Sequence, residues 1–158
     1  GLVAANDNGG GQIVAAGAVD AIAALVAQPA AGTRVIPIQV AGAFHTRYMQ
    51  PAVASLSEYA AEVSVADPEV ALWTNAGGRK VTSGLEFRDL LVAQVSSPVR
   101  WDLCMAAMVE AGVTALIELA PAGTLVGLAK RSMPGVELLA IKSPDQLDAA
   151  RELINNHR

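Results

Sequence analysis

From Val70 to Ile154 short apolar runs alternate with helix-like segments, a pattern that a layered α/β structure accommodates. Val70–Trp73, Val113–Leu119 and Val136–Ile141 read as strands, each bounded by Gly, Pro or polar residues. Glu86–Val95 and Thr124–Arg131 read as the helices between them. Ser97-Pro98 and Ser143-Pro144 each place a capping residue before a proline suited to a first helical position. The first pair predicts a helix through Trp101, Met105 and Met108 to Gly112, and the second a last helix to about Ile154. A composition 53% hydrophobic, 16% charged and only 4% aromatic suits a sheet buried on both faces.

The N-terminal part has a different rhythm. Val3–Asn6 and Gln12–Ala16 flank Asp7-Asn8-Gly9-Gly10-Gly11, a hairpin signature because Gly and Asn tolerate the positive φ of a tight turn. Val19, Ile22, Leu25 and Val26 follow at helical spacing and stop before Pro29. Arg34–Val40, with Pro37 inside it, predicts an edge or bulged strand. Pro51 opens a helix carrying Val53, Leu56, Tyr59 and Ala60 on one face. The division between the two parts falls at Ala41–Phe44, giving segments 1–43 and 44–158.

Charge and cysteine content exclude several classes. A net charge of −4 argues against nucleic acid, which selects a basic surface. The uncharged stretches Asn8–Val19 and Ala21–Thr33 are diluted by Gly, Gln and Pro, short of the roughly 18 apolar residues of a membrane span. A lone cysteine, Cys104, leaves no internal disulfide framework and fits a reducing cytoplasm. No basic region precedes an apolar stretch as in a signal peptide, and the opening Leu2-Val3-Ala4-Ala5 reads as a cut inside a larger protein.

The candidate for chemistry is His45, just past the Arg34–Val40 run and amid small residues. An imidazole can take and return a proton near neutrality; by position alone a structural loop histidine is the favoured reading of His45. His157, in a polar tail, reads as solvated.

Four stretches change the weighing. Gly42-Ala43-Phe44-His45-Thr46-Arg47-Tyr48-Met49-Gln50-Pro51-Ala52 resembles the histidine motif of malonyl-CoA:acyl-carrier-protein transacylases and polyketide-synthase acyltransferase domains. Ala4–Val14 resembles that family's asparagine-rich hairpin. Gln94–Trp101 resembles its glutamine-x-x-x-proline-valine-x-tryptophan stretch, and Glu118–Leu128 its glutamate-leucine-glycine-proline loop, with Ala120 in place of the glycine. They occur in family order over nearly the whole chain. The family's glycine-histidine-serine-x-glycine elbow and its carboxylate-clamping arginine, both upstream in the family, do not occur in these residues.

The resemblance implies an α/β-hydrolase-like acyltransferase core (44–158 its C-terminal part) with an inserted ferredoxin-like small subdomain (1–43 its C-terminal part). It implies a cytoplasmic enzyme of fatty acid biosynthesis that moves malonyl from malonyl-CoA to the phosphopantetheine thiol of acyl carrier protein through a seryl ester. No cofactor, metal, nucleic acid or membrane is implied. His45 would be the general base, and the main-chain carbonyl of Gln94 would orient it. Phe44 would wall the substrate α-carbon, or be ordinary core packing. Asn6 and Asn8 would line the cleft, or simply be turn residues. Arg47, Lys130 and Arg131 would meet the acidic carrier protein, or be solvated charges. Two alternatives stand beside the stand-alone enzyme: an acyltransferase domain of a polyketide synthase, and an inactive carrier-protein-binding fragment. On the leading reading the N-terminal half of the same enzyme is missing, and these residues alone are inactive.

Overall fold

The computed structural model describes residues 1–158. It opens with an antiparallel hairpin, β1 (Leu2–Asp7) and β2 (Ile13–Gly17), turned by three consecutive glycines at positive φ. A bulge between Ala4 and Asn6 shifts the register and leaves Ala5 unpaired with β2 and fully buried. Helix α1 (Val19–Ala27) carries Asp20 in its first turn, where a carboxylate favours the helix dipole, and stops at Gln28 before Pro29.

Arg34–Val40 is not a strand, contrary to the sequence expectation. No strand of this chain runs alongside it, and Ile36, Ile38 and Val40 are all more than 60% exposed. β propensity becomes a strand only when a neighbour takes the ladder.

A single 3-10 turn (Arg47–Met49) leads into α2 (Gln50–Ala61), with Pro51 in its first turn. β3 (Leu72–Trp73) and β4 (Lys80–Val81) form a short hairpin, the second strand of which sequence reading missed. At the turn between them Gly78 packs so closely on Leu103 that a Cβ would collide with that backbone. Helix α3 (Gly84–Gln94) is capped by Ser83, whose hydroxyl accepts from the Glu86 N–H at 3.3 Å.

Ser97-Pro98 does not open a helix either. Val99–Arg100 is instead a strand, β5, lying parallel to β1 with Asn6 opposite Val99 and Asp7 opposite Arg100. Helix α4 (Trp101–Glu110) starts only after it. The pairing uses the edge of β1 that β2 leaves free. It also ties residues 1–17 to the later part of the chain. Arg100 fixes the junction with a two-pronged grip on Asp102, at 2.9 and 2.7 Å. That contact holds the Asp102 carboxyl below the usual range, against the opposing effect of burial.

The C-terminal part is a β-α-β unit: β6 (Ala115–Glu118), α5 (Thr124–Ser132) and the parallel β7 (Glu137–Ala140). A 3-10 turn at Pro144–Gln146 then leads to α6 (Leu147–Asn156). Met105, Leu128, Ala129 and Met133 form the core between α4 and α5, with Trp101, Met108, Leu116 and Leu138 packed against it. His157 is not simply solvated: its ring joins Thr114 Oγ1 at 2.8 Å and Glu137 Oε2 at 2.9 Å, fastening the end of α6 to β7 and to the residue before β6.

Buried Glu118 ends β6 and caps α5. Its carboxylate accepts from the N–H groups of Gly123, Leu125 and Val126 at 2.8–2.9 Å. Burial pushes its pKa up, but the backbone donors, Val126 foremost, outweigh this and hold the carboxyl below its ordinary range.

These elements leave much uncovered. The accessible surface is 10249 Å², against about 7,500 Å² for a self-contained domain of this mass. Only 17 of 158 residues are buried, and the sheet is broken into three pieces. An apolar groove of about 440 Å³ lies open between α2 and α3, walled by Leu56, Tyr59, Val63, Phe87 and Leu91. It contains no residue of the His45 loop. No helix is long and apolar enough to cross a membrane.

Candidate active site

The site is built where the loop after Val40 meets the end of α3. His45 has φ +64°, the only non-glycine residue in the left-handed region. Such a conformation costs about 1–3 kcal/mol and persists where surrounding contacts impose it. Four hydrogen bonds do so. The His45 N–H donates to Val95 O at 2.9 Å. Buried Thr46 donates its hydroxyl to Ala43 O at 2.7 Å and accepts from the Tyr48 N–H at 3.2 Å. The ring itself is held by Nδ1, 2.8 Å from Gln94 O.

That last contact settles the tautomer. A carbonyl oxygen only accepts, so Nδ1 carries the proton and Nε2 of the neutral ring presents its lone pair. Gln94 is the last residue of α3, and its carbonyl is one of those a helix end leaves without an intrahelical partner. Such carbonyls carry the negative end of the helix dipole. A ring held this way can accept a proton at Nε2 and carry the charge without a carboxylate beside it.

The other sequence candidates fall at varying distances from this pair. Phe44 is 46% exposed, its ring lying over Gly42, and it belongs to no buried cluster. Asn6 sits at the bulge opposite Val99, and its side-chain amide has no protein partner. Asn8 is engaged within the hairpin turn: its amide donates to Gln12 Oε1 at 3.1 Å and its N–H to Gln12 O at 3.0 Å. Arg47 lies over the Tyr48 ring, 4.9 Å from its centre, and Arg131 rests against Gly10. Cys104 is buried, which pushes its thiol up and leaves it a poor nucleophile. No group of three or more His, Cys, Asp or Glu side chains gathers into a metal-binding set.

Two contributors escaped the sequence reading. Thr46 carries the local signal of a hydroxyl ahead of a turn. The Gln94 side chain carries none, since its partners, Ser97 O at 2.8 Å and Pro98 O at 3.1 Å, are visible only in the folded turn.

No family model matches the chain. Curated relatives do: a malonyl CoA-acyl carrier protein transacylase of Mycobacterium tuberculosis is 49% identical over 96% of this chain and 50% of its own length. One from Mycolicibacterium smegmatis is 46% identical over 96% of this chain and 54% of its own length. The crystal structure of the transacylase from Mycobacterium tuberculosis superposes with a TM-score of 0.90 over 94% of this chain and 49% of that one. A type II polyketide-synthase acyl-carrier protein in complex with its malonyl-transacylase gives 0.87 at 30% identity, over 96% of this chain and 50% of that one. The chain thus spans about half the length of the curated relatives it matches. Its mixed α/β fold is that of the transacylase structures, an α/β-hydrolase-like core with a ferredoxin-like subdomain. In sequence and in fold, the chain is similar to the C-terminal half of the malonyl CoA-acyl carrier protein transacylases.

Proposed function

We propose that the chain is the C-terminal half of an enzyme that transfers malonyl from malonyl-CoA to the phosphopantetheine thiol of acyl carrier protein. The observation that carries this reading is the 2.8 Å contact of His45 Nδ1 with Gln94 O, which leaves Nε2 free as a base. The other half supplies the nucleophilic serine and the cation that holds the malonyl carboxylate. His45 Nε2 takes the serine proton as Oγ attacks the thioester carbon, and the tetrahedral adduct collapses to a malonyl ester as coenzyme A leaves with that proton. The carrier thiol then gives its proton to His45 and attacks the ester, and the serine leaves protonated. The substrate thioester is already activated, so no cofactor enters.

A carbonyl partner for His45 suits this substrate. A buried carboxylate there would repel the one free carboxylate that the malonyl group brings to the cleft. The carrier protein as partner is supported by the relatives' names and by the solved complex of a related transacylase with its acyl-carrier protein. Phe44 stands next to the base, half exposed, where it can limit the substrate's α-carbon. Asn6, with an unengaged amide, is the better placed of the two asparagines to reach a cleft.

The test is transfer by the complete enzyme, followed by mass spectrometry of the holo carrier protein. The carrier gains one malonyl group with malonyl-CoA as donor. A carrier left unmodified by an active, folded preparation that acylates another acceptor would overturn the assignment.

A further inference from the structure

The end of α3 is held by weak bonds. Val95, Ser96 and Ser97 each donate back three residues, to Val92, Ala93 and Gln94, at 3.4, 3.1 and 3.3 Å. The carbonyls of Gln94 and Val95 in this turn are the two that hold His45, one through its ring and one through its N–H. The strongest contact inside the turn comes from the Gln94 side chain, whose Nε2 donates to Ser97 O at 2.8 Å and to Pro98 O at 3.1 Å. It folds back across the Gln94–Pro98 turn and joins the helix end to the residue before β5. Only a donor serves here, because both partners are carbonyl oxygens.

We infer that the Gln94 side-chain amide is a positioning element for His45: it clamps the Gln94–Pro98 turn and so fixes the direction of the two carbonyls that set the ring's tautomer and aim. This inference rests on His45 being the base. Gln94 then contributes twice, its carbonyl touching the ring and its amide keeping that carbonyl in place. A misaimed base leaves substrate binding intact and slows the chemical steps, since proton transfer needs reacting atoms aligned within a fraction of an ångström.

Gln94→Met keeps length and bulk and removes the donor. In the complete enzyme, kcat for malonyl transfer should fall about 10–100-fold with KM for malonyl-CoA little changed. In the unaltered enzyme the His45 Nδ1–H proton should give a slowly exchanging NMR resonance, and it should broaden or vanish in the variant. A folded Gln94→Met enzyme with normal kcat and an unchanged Nδ1–H resonance would overturn the inference. His45→Ala, assayed in parallel, separates the two readings. If it retains transfer, the role of His45 as base fails; if it is inactive while Gln94→Met is normal, only the clamp fails. Should Gln94→Met not fold, hydrogen exchange in the unaltered enzyme decides. The Gln94 side-chain amide protons should be protected, and exchange at the rate of a free amide would overturn the clamp.

Discussion

Replacing His45 by alanine in the complete enzyme should lower malonyl transfer by about 10²–10⁴-fold, the usual contribution of a positioned general base. The loss should fall on kcat more than on KM, because the imidazole moves protons and does not hold the malonyl carboxylate. Both half-reactions need it, so acylation by malonyl-CoA and discharge to the carrier thiol should slow together. Folding should change little. His45 sits in a loop at φ +64°, and removing the ring leaves the Thr46 hydroxyl bonds and the bond from the residue-45 N–H to Val95 O intact. Steady-state transfer measured beside circular dichroism checks both statements. An unfolded variant would make the histidine structural, and a folded variant of normal rate would make it dispensable.

Phe44→Ser should raise use of methylmalonyl-CoA relative to malonyl-CoA by up to about 10–200-fold, the value of one methyl group in an apolar pocket. The ring lies over Gly42 with nearly half its surface open, so its removal opens space beside His45 without emptying the core. Malonyl transfer should drop only moderately, since the His45–Gln94 contact does not involve the ring. Competition between the two thioesters, read as carrier-protein products by mass spectrometry, measures the ratio. An unchanged ratio in an active enzyme would place selectivity elsewhere.

What the sequence tells about this fold depends on how local each cause is. The β1–β2 hairpin and α1 are legible because Asn-Gly turn chemistry, helical periodicity and a stopping proline act within a few residues. Arg34–Val40 is not, because a strand is a property of two segments and this chain offers it no neighbour. Val99–Arg100 defeats its own cap signal for the same reason reversed: β1, bulged after Ala4, offers an edge that Ser97-Pro98 gives no hint of. His157 looks like tail until Thr114 and Glu137, distant in sequence, come to either side of its ring.

The site follows the same rule more severely. His45 and Gln94 lie 49 residues apart, and no periodicity or composition joins them. Their contact is reachable from sequence only through the family resemblance, which carries the memory of a fold. The resemblance gives the carbonyl but not the Gln94 amide or the Thr46 hydroxyl that hold the loop in place. Those are consequences of backbone direction after α3 and after Ala43, and they appear once the turn is built.

The measurement closest to the central claim is where malonyl rests between its two thioesters. The complete enzyme is mixed with radiolabelled malonyl-CoA without carrier protein, quenched in acid, digested, and the labelled peptide sequenced. The label should sit on a serine outside residues 1–158, should be absent when these residues are incubated alone, and should leave on addition of holo carrier protein. Stable label on any side chain of Gly1–Arg158, or carrier malonylation with no enzyme-bound label at any time, would contradict a base-supplying half paired with a serine from the other.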